Sequence, residues 1–128
     1  EGSECILCPV NWLKHRGKCY WLSEKIRNWQ NSRDDCLTNN SQILVVQDEN
    51  EMAFMRNITQ GSNLVWIGLS VSIPEKKWIW ANGSRFDEKL FKIEGPPNQN
   101  SCVAIRRNDI QSETCNAQYG FICKKNGF

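Results

Sequence analysis

The sequence predicts an α+β domain in which two helices precede a mostly antiparallel sheet with a long irregular loop, and in which disulfide bonds staple the chain. The length of 128 residues fits one domain with a single modest core. Patterns of helical period occur only before Asn63, and short apolar runs separated by turn residues follow it. Seven cysteines indicate three disulfides with one odd thiol, and therefore an oxidising compartment.

The first half of the chain begins with a strand and a helix. Residues 18–23 combine aromatic residues and a cysteine in a short apolar run, which is typical of a strand. Residues 29–39 have apolar residues at helical spacing and predict an amphipathic helix with Cys36 on its apolar face. The residues that carry this spacing are Trp29, Arg33, Cys36 and Leu37.

A second helix is predicted after the short buried run at residues 43–46. Asp48 can cap its first turn, and Glu51, three residues later, can return a hydrogen bond to the N–H of Asp48. The pair Gly61-Ser62 is a plausible end for this helix. Its apolar stripe consists of Met52, Met55 and Ile58, with Phe54 beside them.

The chain after Asn63 consists of strands and loops. The continuous apolar run 64–69 predicts a strand buried on both faces, and residues 77–80 alternate before a turn at Asn82-Gly83. Residues 84–101 are irregular and polar, and a loop of that length in a compact domain is usually functional. The last three predicted strands are 102–106, 110–114 and 119–124.

Composition argues against several functional classes. A formal charge of +2, with the basic residues scattered, favours neither nucleic acid nor an anionic membrane surface as a partner. Cys5 and Cys8 form one C-x-x-C, but no second ligand pair follows, so a zinc site or other cofactor is not expected. The only histidine, His15, lies between two cations, which predicts a solvated side chain rather than a catalytic base. We therefore do not expect an enzyme.

The order of cysteines and aromatic residues along almost the whole chain resembles the C-type lectin-like fold. This resemblance implies the disulfides Cys8–Cys19, Cys36–Cys123 and Cys102–Cys115. The longest of the three closed loops contributes roughly 4–5 kcal/mol in the chain-entropy model, and the short ones about 3. The motifs are Cys8-Pro9 with Trp12, Cys19-Tyr20, Cys36, Trp66-Ile67-Gly68-Leu69, Trp78 with Trp80, Cys102, Cys115, and Phe121-Ile122 before Cys123.

Shorter motifs are similar to those of killer-cell lectin-like receptors, subfamily F first and subfamily B next. These motifs are Glu51-Met52-Ala53-Phe54, Gly95-Pro96, Asn100-Ser101-Cys102 and Ser112-Glu113-Thr114-Cys115. The resemblance implies the ectodomain of a single-pass type II receptor on natural killer and related lymphocytes, which binds a C-type lectin-like protein on another cell and regulates cytotoxic activation. Residues 1–7 would end the membrane-proximal stalk, residues 8–128 would form the domain, and the signal-anchor would precede residue 1.

Calcium-dependent sugar binding is the alternative function, and the sequence departs from it. Sugar-binding members of the family hold calcium through a Glu-Pro-Asn or Gln-Pro-Asp triplet in the long loop and a Trp-Asn-Asp triplet on the following strand, because calcium takes six to eight oxygen ligands. Here the loop reads Gly95-Pro96-Pro97-Asn98 and the strand reads Ile110-Gln111-Ser112. Asn108-Asp109 comes three residues too early, and Asn100-Ser101 lacks the acidic residue often found before the equivalent of Cys102. No calcium site is expected.

The predicted partner-binding face combines the long loop with the strands beside it, since an adaptable loop on a rigid sheet suits protein recognition. Phe86 and Phe91 are the predicted aromatic anchors, although such residues can equally pin a loop to its own core. Arg106 and Arg107 would bind carboxylates. The full set is Arg85, Phe86, Asp87, Glu88, Lys89, Phe91, Lys92, Glu94, Arg106, Arg107, Asn108, Asp109, Gln111 and Glu113.

Two further expectations concern covalent modification. Cys5, the odd cysteine, would bridge two chains of a homodimer in the full-length receptor or stay unpaired; a local bond to Cys8 is the alternative. Asn39, Asn57 and Asn82 each begin an N-x-[ST] sequence, at helix ends and a turn where a glycan can be solvated. We expect at least two of them to be occupied in protein made by mammalian cells.

Overall fold

The computed structural model describes residues 6–128 and has the predicted α+β architecture. One mixed sheet has the strand order β1-β2-β8-β4-β6-β7, with β3 pairing β8 and β5 pairing β4. Among these strands only β4 and β8 pair in parallel. The elements are β1 Leu13–His15, β2 Lys18–Leu22, α1 Trp29–Thr38, β3 Gln42–Ile43, α2 Glu49–Ile58, β4 Val65–Ser72, β5 Lys77–Trp80, β6 Ser101–Arg106, β7 Asp109–Thr114 and β8 Gly120–Asn126.

Three disulfides connect these elements: Cys8–Cys19, Cys36–Cys123 and Cys102–Cys115. They are the three pairs that the resemblance implies. The second bridge spans 87 residues and joins α1 to β8. The other two close loops of 11 and 13 residues, at the entry of the domain and between β6 and the end of β7. Of the three, Cys36–Cys123 constrains the longest part of the unfolded chain and stabilises the fold most.

A glycine in the middle of β4 permits a close approach of two backbones. A Cβ atom on Gly68 would lie 2.6 Å from the carbonyl oxygen of Leu44, too near for any side chain. The Gly68 N–H donates to that same oxygen at 2.7 Å, so the buried segment after β3 is bonded directly to the central strand. This contact explains why a glycine interrupts an otherwise apolar strand.

Two details of the first half differ from the sequence predictions. Strand β1 was not predicted, because it is a three-residue edge strand whose side chains are mostly exposed and therefore show no alternation. The buried face of α1 is Trp29, Ser32 and Cys36, whereas Leu37 is 52% exposed and Arg33 is also on the surface. The buried face of α1 is therefore rotated by part of a turn from the predicted one. The small polar Ser32 can take a core position because its hydroxyl donates to the Asn28 carbonyl.

Helix α2 begins with half of the predicted capping box. The Asp48 side chain accepts from the Glu51 N–H at 2.8 Å, as expected. The second predicted bond, from the Asp48 N–H to the Glu51 side chain, does not form. Glu51 Oε1 accepts instead from the N–H of Gln47 at 2.7 Å. The second oxygen, Oε2, accepts from the Tyr20 hydroxyl at 2.6 Å and lies 2.6 Å from Lys124 Nζ. The Glu51 carboxylate thus joins α2 to β2 and β8.

This ion pair is buried, with side-chain exposures of 13% for Lys124 and 7% for Glu51. Lys124 Nζ also donates to the carbonyl of Val45 at 3.2 Å, so each charged group has further hydrogen-bond partners. Burial, and then the bond to Glu51, raise the pKa of the Tyr20 hydroxyl. Because that pKa in the folded state lies above the unfolded value near 10, the stability linked to the neutral phenol is present below about pH 10 and is lost as the pH rises further.

We predict that Lys124→Met destabilises the domain by roughly 3–5 kcal/mol, because it leaves the buried Glu51 carboxylate without its cation. The matched control is Lys125→Met, on the neighbouring lysine, whose Nζ lies 4.5 Å from the centre of the Trp12 ring. Lys125→Met should lower the free energy of unfolding by no more than about 1 kcal/mol. Urea unfolding followed by tryptophan fluorescence measures both. Equal losses for the two variants would show that the ion pair contributes nothing specific.

Candidate partner-binding face

The long loop is fixed to the domain by an aromatic cluster. Phe91 is 7% exposed and Trp80 is 4% exposed. Phe86, which packs on both of them, is partly buried. The ring centres of Phe86 and Phe91 are 5.0 Å apart, and each ring meets Trp80 edge-on at 6.1 and 6.3 Å. The prediction that Phe91 anchors a partner is therefore wrong: its side chain belongs to the core. Phe86 packs against the same core and presents only part of its ring outward.

The end of the loop is bonded to strand β7. The Glu94 N–H donates to the carbonyl of Ile110 and the Ser112 N–H donates to the carbonyl of Glu94, both at 2.8 Å. The Ser112 hydroxyl donates to the carbonyl of Pro96 at 2.9 Å. Gly95 between them has φ +106°, and a Cβ there would lie 3.0 Å from the Cβ of Ser112. Only glycine fits this turn without strain.

These contacts involve residues 95–98 and 110–112, which the resemblance to sugar-binding members of the family assigns to calcium ligation. Ile110 is 4% exposed and packs in the core, and the Ser112 side chain is committed to the loop backbone. Ile110 has no oxygen in its side chain, and residues 95–97 carry none either. Across residues 6–128 no group of three or more His, Cys, Asp or Glu side chains is arranged to hold a metal ion. Gly95, Pro96, Pro97 and Ile110 therefore contribute no side-chain oxygen toward the six to eight that a calcium ion takes.

Charged residues of the predicted face line two different cavities. Arg85, Asp87 and Lys89 line an open cavity together with Asp48 and Glu49, beside the start of α2. Arg106, at the far end of β6, lines a different cavity. That second cavity also contains Glu24, Lys25, Asn63 and Tyr119. The structure brings Glu94 next to Gln111 of β7. Arg85 and Arg106 line different cavities.

The turn between β6 and β7 is held by local contacts and by α2. Arg106 lies 3.6 Å from Asp109, but both side chains are about half exposed, so the pair contributes little stability. Arg107 is in the turn rather than on the strand, with φ +59°, and its N–H donates to the Thr59 hydroxyl at 2.8 Å. Adjacent residues on one strand face opposite sides of the sheet, but this rule does not apply to Arg106 and Arg107, because only Arg106 is on the strand. Both side chains are exposed.

Strand β7 contributes fewer accessible groups than predicted. Gln111 and Glu113 are partly buried, and Glu113 accepts from the Tyr119 hydroxyl at 3.0 Å. Burial and this hydrogen bond raise the pKa of Tyr119, which keeps the phenol a donor.

The exposed members of the predicted face carry charges of both signs. They are Arg85, Asp87, Glu88, Lys89, Lys92, Glu94, Arg106, Arg107, Asn108 and Asp109.

Two structural features outside the sequence predictions bear on this face. The hydroxyl of Thr59 joins the β6–β7 turn to the end of α2, and it is completely buried. The cavity beside Arg85 is bounded on its other side by the first residues of α2. Helix α2 therefore supports both exposed regions. The capping pattern at Asp48 located this helix in the sequence, but nothing local indicated its contacts with the loop or the hairpin.

Comparison with known proteins gives a consistent result. Residues 25–125 match the family described as Lectin C-type domain. Killer cell lectin-like receptor subfamily F member 1 is 44% identical in Macaca fascicularis and 41% identical in Homo sapiens, in each case over 97% of this chain and 54% of the relative. Subfamily B member 1B allele C of Rattus norvegicus is 36% identical over 94% of this chain and 54% of its own length. The chain thus spans about half the length of these relatives.

Two solved structures share the fold. The mouse scavenger receptor C-type lectin carbohydrate-recognition domain has a TM-score of 0.84 at 28% identity, covering 93% of this chain and 96% of that one. A calcium-independent type II antifreeze protein also has a TM-score of 0.84, at 19% identity, covering 98% and 99%. The second similarity concerns the fold alone. No helix in the described part of the chain is long and apolar enough to cross a membrane.

We predict that Phe91→Ala destabilises the domain by about 3–5 kcal/mol, because it empties a buried aromatic site. The neighbouring exposed residue supplies the control, and Lys92→Ala should change stability by less than about 0.5 kcal/mol. Thermal unfolding monitored by near-UV circular dichroism compares the two. If Phe91→Ala were as stable as Lys92→Ala, the loop would not be held by this cluster.

Proposed function

Because the chain belongs to the family described as Lectin C-type domain and is similar to killer cell lectin-like receptors over about half of their length, we propose that it is the domain of such a receptor. It would bind a C-type lectin-like protein on another cell without calcium or sugar. The receptor would be of the natural killer type and would regulate cytotoxic activation. The ligand would contact the exposed residues of the long loop and of the β6–β7 hairpin.

One observation carries the calcium-independent part of the proposal. The end of the loop and the middle of β7 hold each other through the Glu94, Pro96 and Ser112 hydrogen bonds. These bonds connect the loop to the strand through protein groups alone, which supports a loop whose shape does not depend on an ion. Gly95, Pro96, Pro97 and Ile110 at these positions carry no side-chain oxygen, which supports recognition through side chains of the protein itself rather than through an ion.

The mixture of charges on the exposed residues supports a protein ligand. Arginine and lysine alternate with aspartate and glutamate around the loop and the hairpin. Such a surface gives selectivity and steering toward a partner with a complementary pattern, and has little affinity for a uniformly charged polymer. Its two parts stand on rigid supports, the aromatic cluster and α2, which lowers the entropy lost on binding.

Calcium-dependent carbohydrate binding remains the second candidate, because a carbohydrate-recognition domain shares this fold at 28% identity. That function would require calcium to bind with the few oxygens that residues 95–98 and 110–112 offer. The two candidates differ in a single requirement, the ion, and a chelator separates them.

The relatives are nearly twice as long as this chain, which leaves room for the anchor, stalk and signalling tail of a type II receptor. We propose that this chain continues in the same way, with residues 1–7 as the end of the stalk and 8–128 as the domain. Cys5 lies outside the described residues 6–128, and the proposed interchain bridge rests on the sequence. The other six cysteines are paired with one another.

A full-length receptor in which Cys5 bridges two chains should migrate as a dimer without reductant and as a monomer with it. Cys5→Ser should abolish the dimer and leave surface expression unchanged, because the six remaining cysteines still pair. Non-reducing electrophoresis with peptide mapping provides the readout. A Cys5–Cys8 peptide in the map would contradict both the bridge and the pairing of Cys8 with Cys19.

Binding to cells should be insensitive to calcium. A soluble tetramer of the domain should stain ligand-bearing cells equally in excess EDTA and in millimolar calcium. Staining should disappear after the cells are treated with trypsin and survive enzymatic removal of their N-glycans. A signal lost in EDTA and restored by calcium would favour the carbohydrate-binding candidate instead.

Alanine substitutions should locate the ligand contact. At least one of the exposed residues Arg85, Lys89, Lys92, Arg106 or Arg107 should weaken ligand binding tenfold or more when truncated, which corresponds to about 1.4 kcal/mol. Leu37→Ala is a suitable control, because Leu37 is also exposed but lies on α1, outside the proposed face. Surface plasmon resonance against the identified ligand measures each variant. A scan in which every folded variant binds like the parent would move the contact elsewhere.

A further inference from the structure

The three N-x-[ST] sequences differ in how the folded domain holds the hydroxyl two residues after the asparagine. Transfer of an N-glycan involves both ends of the sequence, because the asparagine side chain accepts the sugar and the enzyme recognises the hydroxyl residue. A sequence whose hydroxyl is buried is therefore closed to the enzyme once the domain has folded. A sequence exposed in a turn remains open.

The sequence at Asn82 lies in the turn after β5 and is exposed along its whole length. Asn82 Oδ1 accepts from both the N–H and the hydroxyl of Ser84, at 2.9 and 2.6 Å. The hydroxyl and the acceptor amide are therefore already side by side and both face solvent. Gly83 between them has φ +90°, which keeps the turn tight and adds no side chain in the way.

In the sequence at Asn57, the hydroxyl residue, Thr59, is inaccessible. Asn57 itself is exposed in the last turn of α2, but Thr59 has no exposed surface. The Thr59 hydroxyl donates to the Met55 carbonyl and accepts from the Arg107 N–H, both at 2.8 Å. Reaching this hydroxyl would require breaking the helix end and detaching the β6–β7 turn from it.

The sequence at Asn39 forms the end of α1. Asn40 has φ +57°, its N–H donates to Leu37, and the Ser41 N–H donates to Cys36, which is the hydrogen-bond pattern of a Schellman motif. Ser41 is 4% exposed, and its hydroxyl also donates to the Cys36 carbonyl at 2.7 Å. Because Cys36 is bridged to Cys123, this helix end is locked when that disulfide forms.

We propose that Asn82 is an acceptor for N-glycans on the folded domain, whereas Asn39 and Asn57 accept only before the domain closes. In the transfer, the bond between the Asn Nδ2 atom and the sugar C1 forms, and the bond from that carbon to the lipid pyrophosphate carrier breaks with its electron pair on the departing pyrophosphate. The proton that Nδ2 loses passes to solvent. The inference rests on the extracellular placement proposed above. The folding state thus decides which sites carry a glycan.

The direct test uses purified oligosaccharyltransferase and a lipid-linked oligosaccharide. The unglycosylated domain, its three disulfides verified, is compared with the same chain reduced and alkylated. Mass spectrometry of peptides gives the initial rate at each asparagine. The ratio of folded to unfolded rate should be near one at Asn82, and at least about tenfold lower at Asn39 and Asn57, because transfer there waits for local opening.

Ser84→Ala, an exposed change, is the matched control and should remove transfer at Asn82 alone. In cells, a low concentration of dithiothreitol that delays the Cys36–Cys123 bridge should raise occupancy of Asn39 and leave Asn82 unchanged. A folded-to-unfolded ratio near one at Asn39 or Asn57, or a tenfold drop at Asn82, overturns the proposal. These rates do not depend on ligand recognition, so they stand or fall separately from the receptor function.

Discussion

The fold depends above all on the position of its last strand, which the Cys36–Cys123 bridge fixes against α1. Strand β8 pairs with β2, β3 and β4, and so links the edge of the sheet that contains the chain entry to the central strand. The residue after Cys123 is Lys124, which forms the buried ion pair with Glu51 at the start of α2. One strand therefore holds both helices and both halves of the sheet. Since the bridge closes 87 residues, it also removes the most freedom from the unfolded chain.

A domain held in this way can support a long loop without regular structure. The loop is fixed at two points, by Phe91 in the core and by the backbone bonds of Glu94 with β7, and its charged residues lie between and around these points. In a calcium-binding relative, an ion would contribute to holding the same region. Here the core side chain of Ile110 and the Ser112 hydroxyl take the corresponding positions on β7. The proposal that binding is independent of calcium rests on this packing and on these hydrogen bonds.

The sequence predicted the order of both helices and most strands, because the helices have a clear period and the strands are bounded by turn residues. It missed β1, whose three residues at an exposed edge have no pattern, and it placed Leu37 on the buried side of α1 instead of Ser32. Partner contacts were harder to predict. The burial of Phe91 depends on Trp80 and Phe86, and the partners of Glu51 come from β2 and β8 as well as its own helix start. Interactions between distant parts of the chain leave no local signal, and for that reason the sequence did not show that Phe91 belongs to the core.

The central claim is that protein contacts, not calcium, hold the loop against β7. Amide hydrogen exchange at Glu94 and Ser112 measures this most directly, because both N–H groups form the bonds between loop and strand. We predict that both amides are protected in EDTA and that their exchange rates change by less than about twofold when millimolar calcium is added. Rapid exchange in EDTA that becomes slow in calcium would contradict it, because an ion would then be what orders the loop.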